Sequence, residues 1–388
     1  MRIASGFIRP MLLVAALALA ACAPAAAPAP TSAPPEASKG KPAAAPPTAA
    51  PAAPAAAPAA TAPRPEPTAV PAKPAAEAMI SLRFASIANA SQAYIPVVMI
   101  ERGIGKKYGL DIQLVDLSTT TQQWTSMRGG ESDVSSGSFL DLLRQRQAGL
   151  KAKAFRGFYT FGNPIVSPTN KPYQKLSDLR GAKVGVPNAN LLDWMILRAA
   201  GKLVDGFDVG KDAEVAEAAP QILLQMILKD QLDASYQFSD FVLEPTVEGK
   251  IKEVTNVRKT MGEAGLDTGA FYLTYNMTES WAEKNGPDAV AKLVAAMDEA
   301  VEIMDKDDSV WPMLAKRSGV ENPALLPQFI ALQRDRFKID YGRAKLEPTQ
   351  RLLDEMVKTV GAEPVGVTKV DPDAFDFAAV EAAKRLRR

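Results

Sequence analysis

The feature that most constrains the fold is an alternation of strands and helices that runs from Ile80 to Tyr275. Residues 80–85 alternate apolar and polar side chains, which predicts a strand. Residues 94–107 predict a helix, and residues 110–115 predict the next strand. A strand, a helix and a strand so close together form a βαβ unit, so the sequence predicts a parallel sheet.

The same alternation continues downstream. Further helices are predicted over residues 121–127, 139–148, 191–200 (closed by Gly201), 220–228, 239–248, 287–304, 323–337 and 348–360. Further strands are predicted over residues 133–137, 152–158, 182–187, 233–236, 251–257 and 271–275.

A short internal sequence repeat accompanies this alternation. Met127 is followed by Asp133-Val134-Ser135, and Met226 is followed at the same distance, within a residue, by Asp233-Ala234-Ser235. In each case a helix ends in a polar turn before Asp, a small apolar residue and Ser. The repeat is typical of two similar α/β lobes.

Composition excludes several kinds of chemistry. The sequence contains no histidine and a single cysteine, Cys22. Histidine-based catalysis, histidine metal sites and histidine pH switches are therefore excluded. Without Arg2 and Arg9, which lie in the predicted signal described next, the 45 basic residues fall to 43 against 44 acidic residues. This balance leaves no basic surface for nucleic acid, and we expect no nucleic-acid partner, no cofactor and no bound metal.

The pattern of residues 1–21 is typical of a secretory signal. Arg2 and Arg9 provide the positive start, residues 11–18 are apolar, and small residues precede Cys22. This arrangement resembles the bacterial lipoprotein box, in which the cysteine becomes the lipidated first residue of the mature chain. The alternatives are an ordinary secretion signal and a transmembrane anchor, although the apolar run is shorter than the ~20 residues that a bilayer needs.

Residues 22–78 are predicted to form the lipidated Cys22 and a disordered tether. The stretch is nearly all Ala and Pro and has no periodic apolar face. Proline favours an extended chain at ~3.1 Å per residue, so the tether would reach at most roughly 170 Å. We therefore expect a domain outside the cytoplasm that is anchored through lipid to the cell membrane.

Four segments match motifs of one known family. Residues 176–186 look like a "sl-dLkGkkVgv" segment that opens a second lobe. Residues 128–134 look like an "l-sGeiDv" turn of a first lobe, and residues 228–234 like a second-lobe turn "l-kGqvDA", without its usual glycine. Residues 275–285 resemble an "N-ef-eknP" entry to C-terminal helices. Together these segments resemble the extracytoplasmic solute-binding proteins of ABC importers, in the group that binds nitrate, sulfonates, taurine and thiamine pyrimidine precursors.

The resemblance implies a type II periplasmic binding protein: an α/β fold of two Rossmann-like lobes joined by a hinge, with the ligand in the cleft between them. It implies a small-molecule solute, an ABC permease and its ATPase as partners, and no enzymatic activity. We expect a monomer. The implied domains are residues 79–165 for the first part of lobe I, 166–268 for lobe II, and 269–388 for the return to lobe I and the C-terminal helices.

Ligands of open α/β sheets bind beyond the carboxyl ends of the strands. This rule selects a set of polar and aromatic residues that follow predicted strands: Asn89, Ser91, Tyr94, Ser135, Ser136, Ser138, Phe139, Tyr159, Thr160, Asn188, Asn190, Trp194, Tyr236 and Phe238. Ser91, Asn188 and Asn190 have an alternative role as helix caps. Tyr94, Phe139 and Trp194 have an alternative role in the core, and Trp281 and Trp311 are predicted to pack.

The predicted ligand residues are rich in aromatic rings and hydroxyls and poor in cations. Such a cleft favours a flat, mostly neutral heterocycle, with a thiamine-precursor pyrimidine or a flavin as the lead ligand. The alternative is sulfonate, taurine or nitrate, for which a cation such as Arg156 would be useful if its side chain reaches the cleft.

Two functions of other classes remain open at this point. A lipid-anchored hydrolase would use paired carboxylates such as Asp307-Asp308 or Asp371 and Asp373, which lie on predicted surface turns. A sensory ectodomain could use the same fold, although no downstream signalling module supports it.

Overall fold

A computed structural model describes residues 78–387. The predicted signal peptide (residues 1–21), the lipidation site Cys22 and all but the last residue of the predicted tether (residues 22–78) lie outside the described residues. The described chain contains the strands β1 (Ile80–Ile87), β2 (Leu110–Leu117), β3 (Val134–Ser138), β4 (Ala152–Tyr159), β5 (Pro164–Pro168), β6 (Lys183–Val186), β7 (Glu214–Glu217), β8 (Ala234–Tyr236), β9 (Ile251–Asn256) and β10 (Leu273–Thr278).

Helices connect these strands and then form the C-terminal part of the described chain. They are α1 (Tyr94–Glu101), α2 (Ile104–Lys107), α3 (Thr120–Arg128), α4 (Phe139–Gln147), α5 (Leu192–Asp205), α6 (Pro220–Leu228), α7 (Leu243–Val247), α8 (Val257–Glu263), α9 (Glu279–Asn285), α10 (Pro287–Lys306), α11 (Trp311–Arg317), α12 (Leu326–Gln333), α13 (Leu346–Val360), α14 (Ala362–Val365) and α15 (Ala378–Leu386). None of the helices within residues 78–387 has the length and apolar character needed to cross a membrane.

The strands form two five-stranded sheets of the same design. The first sheet has the order β2-β1-β3-β10-β4, and the second has the order β7-β6-β8-β5-β9. In the first, β1 pairs in parallel with β2 and β3, while β10 runs antiparallel between β3 and β4. In the second, β6 pairs in parallel with β7 and β8, while β5 runs antiparallel between β8 and β9. Each sheet is the centre of one lobe, and the chain crosses between lobes after β4 and again before β10.

The sheets are therefore mixed, and the prediction of a parallel sheet was correct only for three strands of each lobe. The antiparallel strand of each lobe is the first strand after a crossing, so its direction is set by the return of the chain from the other lobe. The local order of strand, helix and strand does not specify the direction of the strand that follows such a crossing. The strands β5 and β7 were missed, because β5 is a short run between Pro164 and Pro168 and β7 is a four-residue edge strand.

Two predicted helix boundaries were wrong. The helix expected over residues 94–107 is broken after Glu101, where Gly103 takes a left-handed backbone conformation with φ of 68°. The helix expected to close at Gly201 instead continues to Asp205. A Cβ atom at position 201 would lie 2.4 Å from the carbonyl oxygen of Phe207, so this glycine permits close packing of the chain and does not end the helix.

The short sequence repeat that ends in Asp133 and Asp233 corresponds to an equivalent hydrogen bond in each lobe. In the first lobe the Asp133 carboxylate accepts the backbone N–H of Arg83 at 2.9 Å, and in the second the Asp233 carboxylate accepts the backbone N–H of Lys183 at 2.9 Å. Each aspartate thus links the turn before β3 or β8 to the middle one of the three parallel strands of its lobe, β1 or β6. In the second turn, Asp230 stands where the first turn has Gly130. Both residues have a left-handed backbone conformation, with φ of 55° at Asp230 and 71° at Gly130.

This comparison predicts opposite stability effects at the two turns. Asp230→Gly should raise the free energy of unfolding by up to about 1 kcal/mol, because glycine enters the left-handed region without the steric cost that an L side chain carries. Gly130→Ala should lower it by about 1–2 kcal/mol for the same reason. Urea denaturation of the two variants beside wild type measures both. A stabilising Gly130→Ala substitution would contradict the equivalence of the turns.

Candidate functional site

A cavity lies at the interface of the two lobes, at the ends of their strands. Its volume is about 50 Å³, enough for roughly four water molecules, so the lobes are nearly closed on each other. We call it the inner cavity. It is lined by Ala90, Ser91, Gln92, Thr120, Gly137, Ser138, Asp141, Tyr159, Asn163, Leu191, Leu192, Asp193, Tyr236, Phe238, Asp240, Tyr272 and Leu273.

A buried carboxylate, Asp193, is held on the second-lobe side of the inner cavity. It lies in the first turn of α5, and its Oδ2 accepts hydrogen bonds from the Tyr272 hydroxyl at 2.5 Å, from Asn163 Nδ2 at 3.1 Å and from the Tyr236 hydroxyl. Burial raises the pKa of Asp193, and the three donors lower it in part. Its other oxygen, Oδ1, is buried without a hydrogen-bond partner.

A second buried carboxylate, Asp240, joins the lobes. Its Oδ2 accepts the backbone N–H of Ser91 at 3.1 Å and the Ser91 hydroxyl at 2.9 Å, while its Oδ1 accepts Gln333 Nε2 at 2.7 Å. Ser91 follows β1 of the first lobe and Asp240 follows β8 of the second. Burial raises the pKa of Asp240, which the bonds from Ser91 and the nearby Arg336 guanidinium partly oppose.

Arg336 supplies positive charge on the Asp240 side of the interface. Its Nη1 donates to the Tyr159 hydroxyl at 2.8 Å and to the Ser239 hydroxyl, so it also connects the two lobes. The Tyr159 hydroxyl in turn donates to Gln333 Oε1 at 3.1 Å. Asp240, Arg336, Tyr159 and Gln333 thus form a buried polar network that links the two lobes and the C-terminal helices.

Local sequence explains the first-lobe wall of the cavity. Ser138 ends β3 and caps α4: its hydroxyl oxygen accepts the Asp141 backbone N–H at 3.1 Å, and the Asp141 carboxylate accepts the Ser138 backbone N–H at 3.3 Å. The preceding Gly137 is required by packing, because a Cβ there would lie 2.4 Å from the Trp124 ring. Together the cap and the glycine place the end of β3 directly at the cleft.

A larger groove adjoins the inner cavity and shares Thr120 and Asp141 with it. This outer groove has a volume of about 410 Å³ and is lined by Thr120, Thr121, Trp124, Thr125, Arg128, Asp141, Arg144, Gln145, Asn188, Asn190, Glu363, Pro364 and Gly366. Arg144 is fixed there by backbone carbonyls: its Nη1 donates to Asn190 at 2.5 Å and its Nη2 to Pro364 at 2.9 Å. The groove extends from the inner cavity toward the surface.

The structure brings five of the predicted ligand residues together around the inner cavity: Ser91, Ser138, Tyr159, Tyr236 and Phe238. Two more, Asn188 and Asn190, line the outer groove, where Asn188 Oδ1 accepts the backbone N–H of Asn190 at 2.8 Å. Their contribution to ligand binding stays a prediction.

The remaining predicted ligand residues do not line the inner cavity. Tyr94, Phe139 and Trp194 are fully buried in the core, as the alternative for them proposed, and Tyr94 packs on Phe329 and Phe337. They were selected because they follow strands, but their helices turn these side chains inward. The others lie elsewhere around the strand ends: Ser135 and Ser136 are buried within β3, Asn89 is exposed, and Thr160 lines a separate cavity near the crossing between the lobes.

Arg156 does not reach the inner cavity. Its Nε donates to Asp298 Oδ1 at 2.9 Å on α10. Trp281 and Trp311 are buried packing residues, as predicted. Three carboxylates that the sequence analysis did not select, Asp141, Asp193 and Asp240, line the inner cavity instead.

A signal for these carboxylates existed in the sequence. Asp193 precedes Trp194 and Asp240 follows Phe238, both of which were selected by the strand-end rule. Their burial, however, depends on contacts across the lobes. The acidic residues considered for a hydrolase are surface groups: Asp307 pairs with Arg102, and Asp371 pairs with Arg146.

Comparison with known families agrees with this architecture. Residues 95–308 match the model of the family described as "NMT1/THI5 like". The chain belongs to the NMT1/THI5-like family. This match confirms the resemblance noted in the sequence. No curated protein matches the chain.

Solved structures show the same fold. The alkanesulfonate-binding protein SsuA of Xanthomonas axonopodis pv. citri, bound to MOPS, is similar with a TM-score of 0.64 at 15% identity, covering 78% of this chain and 99% of that one. The periplasmic nitrate-binding protein NrtA of Synechocystis PCC 6803 gives 0.59 at 14% identity, covering 79% and 89%. The ligand-binding component of an ABC-type import system from Staphylococcus aureus, with zinc bound, gives 0.61 at 13% identity, covering 80% and 100%.

The two-lobed type II periplasmic binding protein fold is thereby confirmed. The Xanthomonas and Synechocystis proteins are binding proteins, and this chain shares their fold.

The raised pKa of Asp193 predicts a pH-dependent stability. A carboxyl whose pKa is higher in the native than in the unfolded chain, where it is about 3.9, binds more protons when folded, so its contribution to stability is lost as pH rises through the native pKa. Urea unfolding of the ligand-free protein should therefore show that the stability of wild type relative to Asp193→Asn increases as pH falls from 7 to 5.

Asp233→Asn provides the control with the opposite sign. Partial burial alone would raise the pKa of Asp233, but the backbone N–H of Lys183 and the ammonium of Lys171 lower it on balance. The stability of wild type relative to this variant should be constant between pH 7 and 5 and decrease only as pH falls further toward 3. If the free energy of unfolding of wild type relative to Asp193→Asn decreased as pH fell from 7 to 5, the result would contradict the burial of a titrating carboxyl at position 193.

Proposed function

We propose that this protein is the extracytoplasmic solute-binding subunit of an ABC importer, which captures a small organic ligand between its lobes and delivers it to a membrane permease and its ATPase. Membership of the NMT1/THI5-like family and the two-lobed fold support the role in solute capture. The predicted signal and Cys22 support attachment to the cell membrane through lipid, outside the cytoplasm.

The observation that carries the ligand class is the chemistry of the inner cavity. Among its lining residues within the described chain there is no lysine and no arginine, while four are aromatic and three are aspartates. Sulfonate and nitrate are anions that are bound most strongly by cations or by several N–H donors. The lining therefore favours a neutral or basic organic ligand over these anions.

Aromatic walls also favour a ring. Tyr159, Tyr236, Phe238 and Tyr272 line the inner cavity, and Tyr272 is held by stacking on Phe161, with the ring centroids 4.2 Å apart. Such rings offer flat apolar contact together with hydroxyl groups for orientation. A pyrimidine is the first candidate to test, because its single ring needs the least space in a cavity of about 50 Å³.

Sulfonate, taurine and nitrate form the second candidate class. The observation that favours them is the likeness of the fold to the alkanesulfonate-binding protein of Xanthomonas and the nitrate-binding protein of Synechocystis. Arg144 is a guanidinium in the outer groove, but its donors are directed to the carbonyl oxygens of Asn190, Pro364 and Val365. An anion would have to displace these bonds.

A thermal-unfolding panel tests the proposal. The purified full-length chain is heated with a hydroxymethylpyrimidine, riboflavin, taurine, an alkanesulfonate or nitrate. A ligand at ~100 times its dissociation constant stabilises the folded protein by ~2.7 kcal/mol, which is a measurable rise in the melting temperature. We expect the rise with the pyrimidine.

Two tryptophan variants locate the binding site. Leu273→Trp places a large ring at the wall of the inner cavity and should abolish the stabilisation. Ile222→Trp is the matched control, since Ile222 on α6 is 55% exposed and distant in sequence from the lining residues. Stabilisation by no member of the panel, or equal stabilisation of both variants, would contradict capture of a solute in this cavity.

A further inference from the structure

A buried carboxylate requires a counter-cation and hydrogen-bond donors for both of its oxygens. Asp193 lacks the cation, and one of its oxygens lacks a donor. The residue is only 3% exposed, and its Oδ1 has no hydrogen-bond partner. Within residues 78–387, no lysine or arginine forms an ion pair with it. The carboxylate of Asp141 acts on it electrostatically and raises its pKa further. An uncompensated buried charge and an unsatisfied acceptor are both costly, so this arrangement is unusual for a purely structural residue.

Another buried aspartate of the same lobe shows the ordinary solution. Asp208 is 4% exposed, and the Arg198 guanidinium is buried beside it. Arg198 Nε donates to Asp208 Oδ1 at 2.8 Å and its Nη2 donates to Oδ2 at 3.1 Å. The chain thus supplies a cation to Asp208 from its own sequence, and it supplies none to Asp193.

The second carboxylate at the lobe interface is also compensated. Both oxygens of Asp240 accept protein donors, and the Arg336 guanidinium acts on it through its charge. Of the three aspartates that line the inner cavity, only Asp193 has an oxygen that is buried without a hydrogen-bond partner. That oxygen belongs to a residue that lines the cavity.

The surroundings of Asp193 fix its position. Three donors hold Oδ2, from Tyr236 and Tyr272 on either side and from Asn163 at the crossing between the lobes. With one oxygen so restrained, the other presents a lone pair at a fixed place. The aromatic rings of Tyr236, Tyr272 and Phe238 around it are surfaces on which a cation is also stabilised.

We propose that the ligand carries a protonated nitrogen, in an amine, an amidine or a basic heterocycle, which enters the inner cavity and donates a hydrogen bond to Asp193 Oδ1. The ligand's charge then replaces the counter-cation that the chain does not provide. This inference rests on the proposed function as a solute-binding protein. The rest of a larger ligand would follow into the outer groove, which shares Thr120 and Asp141 with the inner cavity.

Binding of matched probes to the full-length chain tests the proposal. The cationic probes are benzylammonium, 4-amino-5-hydroxymethyl-2-methylpyrimidine near its own pKa, and agmatine. The neutral and anionic counterparts are benzyl alcohol and benzenesulfonate. Dissociation constants come from isothermal titration calorimetry, at the pyrimidine's own pKa for that probe and at pH 7.5 for the others, and from thermal unfolding. We expect at least one cationic probe to bind at least 10-fold more tightly than the neutral and anionic counterparts.

Asp193→Asn keeps the shape of the side chain and removes its charge. We expect it to weaken binding of the cationic probe by at least 100-fold, because a charge-assisted hydrogen bond to a buried carboxylate is lost. Asp373→Asn is the matched control outside the cavity; it should weaken binding by less than 10-fold, because Asp373 is exposed and does not line the inner cavity. Circular dichroism and the melting temperature of each ligand-free variant establish that it is folded.

The outcomes separate the two proposals. If an anionic or neutral probe binds and no cationic probe does, the role of Asp193 is overturned while capture of a solute survives. If a cationic probe binds and Asp193→Asn retains that binding, the role of Asp193 is likewise overturned. If no probe of any charge binds, the proposed function fails and the assignment of Asp193 fails with it.

Discussion

The arrangement of the two lobes depends on carboxylates buried where the lobes meet. Asp240 of the second lobe accepts the backbone N–H and hydroxyl of Ser91 in the first, and Arg336 from the C-terminal part donates to Ser239 of the second. Such groups lose their hydration on burial, so each must be satisfied from the opposite lobe if closure is to be stable. Separation of the lobes would return water to them. The interface is therefore suited to open and close about the crossings between the sheets.

Asp193 differs from the rest of this interface because the protein satisfies only one of its oxygens. A network that lacks one partner is poorly stable when empty and gains stability when a ligand supplies the missing group. This is the arrangement expected of a protein whose closure is coupled to capture of a solute. It also explains why the inner cavity is small: recognition is confined to the group that meets Asp193, and the outer groove can admit the remainder of a ligand.

The duplicated design of the lobes explains why much of the fold was predictable. The turns at Gly130 and Asp230 lie at equivalent places, and the aspartates at 133 and 233 make equivalent bonds to β1 and β6, the middle parallel strand of each lobe. These are local features, with a helix, a turn and a strand close together in the sequence. The antiparallel strands β5 and β10 were not assigned their direction, because that direction follows from the chain crossing to the other lobe.

The sequence by itself determined the alternation of strands and helices, the family, and a set of polar strand ends that includes Ser91, Ser138 and Tyr236. These follow from periodicity and from residues adjacent in the chain. Only the tertiary structure decided that Trp194 faces the core while its neighbour Asp193 faces the cavity. Only it revealed that Asp193 receives three donors and no cation, because those donors come from positions 163, 236 and 272, which are far apart in the sequence and meet only in the folded chain. Burial and the loss of solvent, which give the carboxylate its importance, are properties of that tertiary structure.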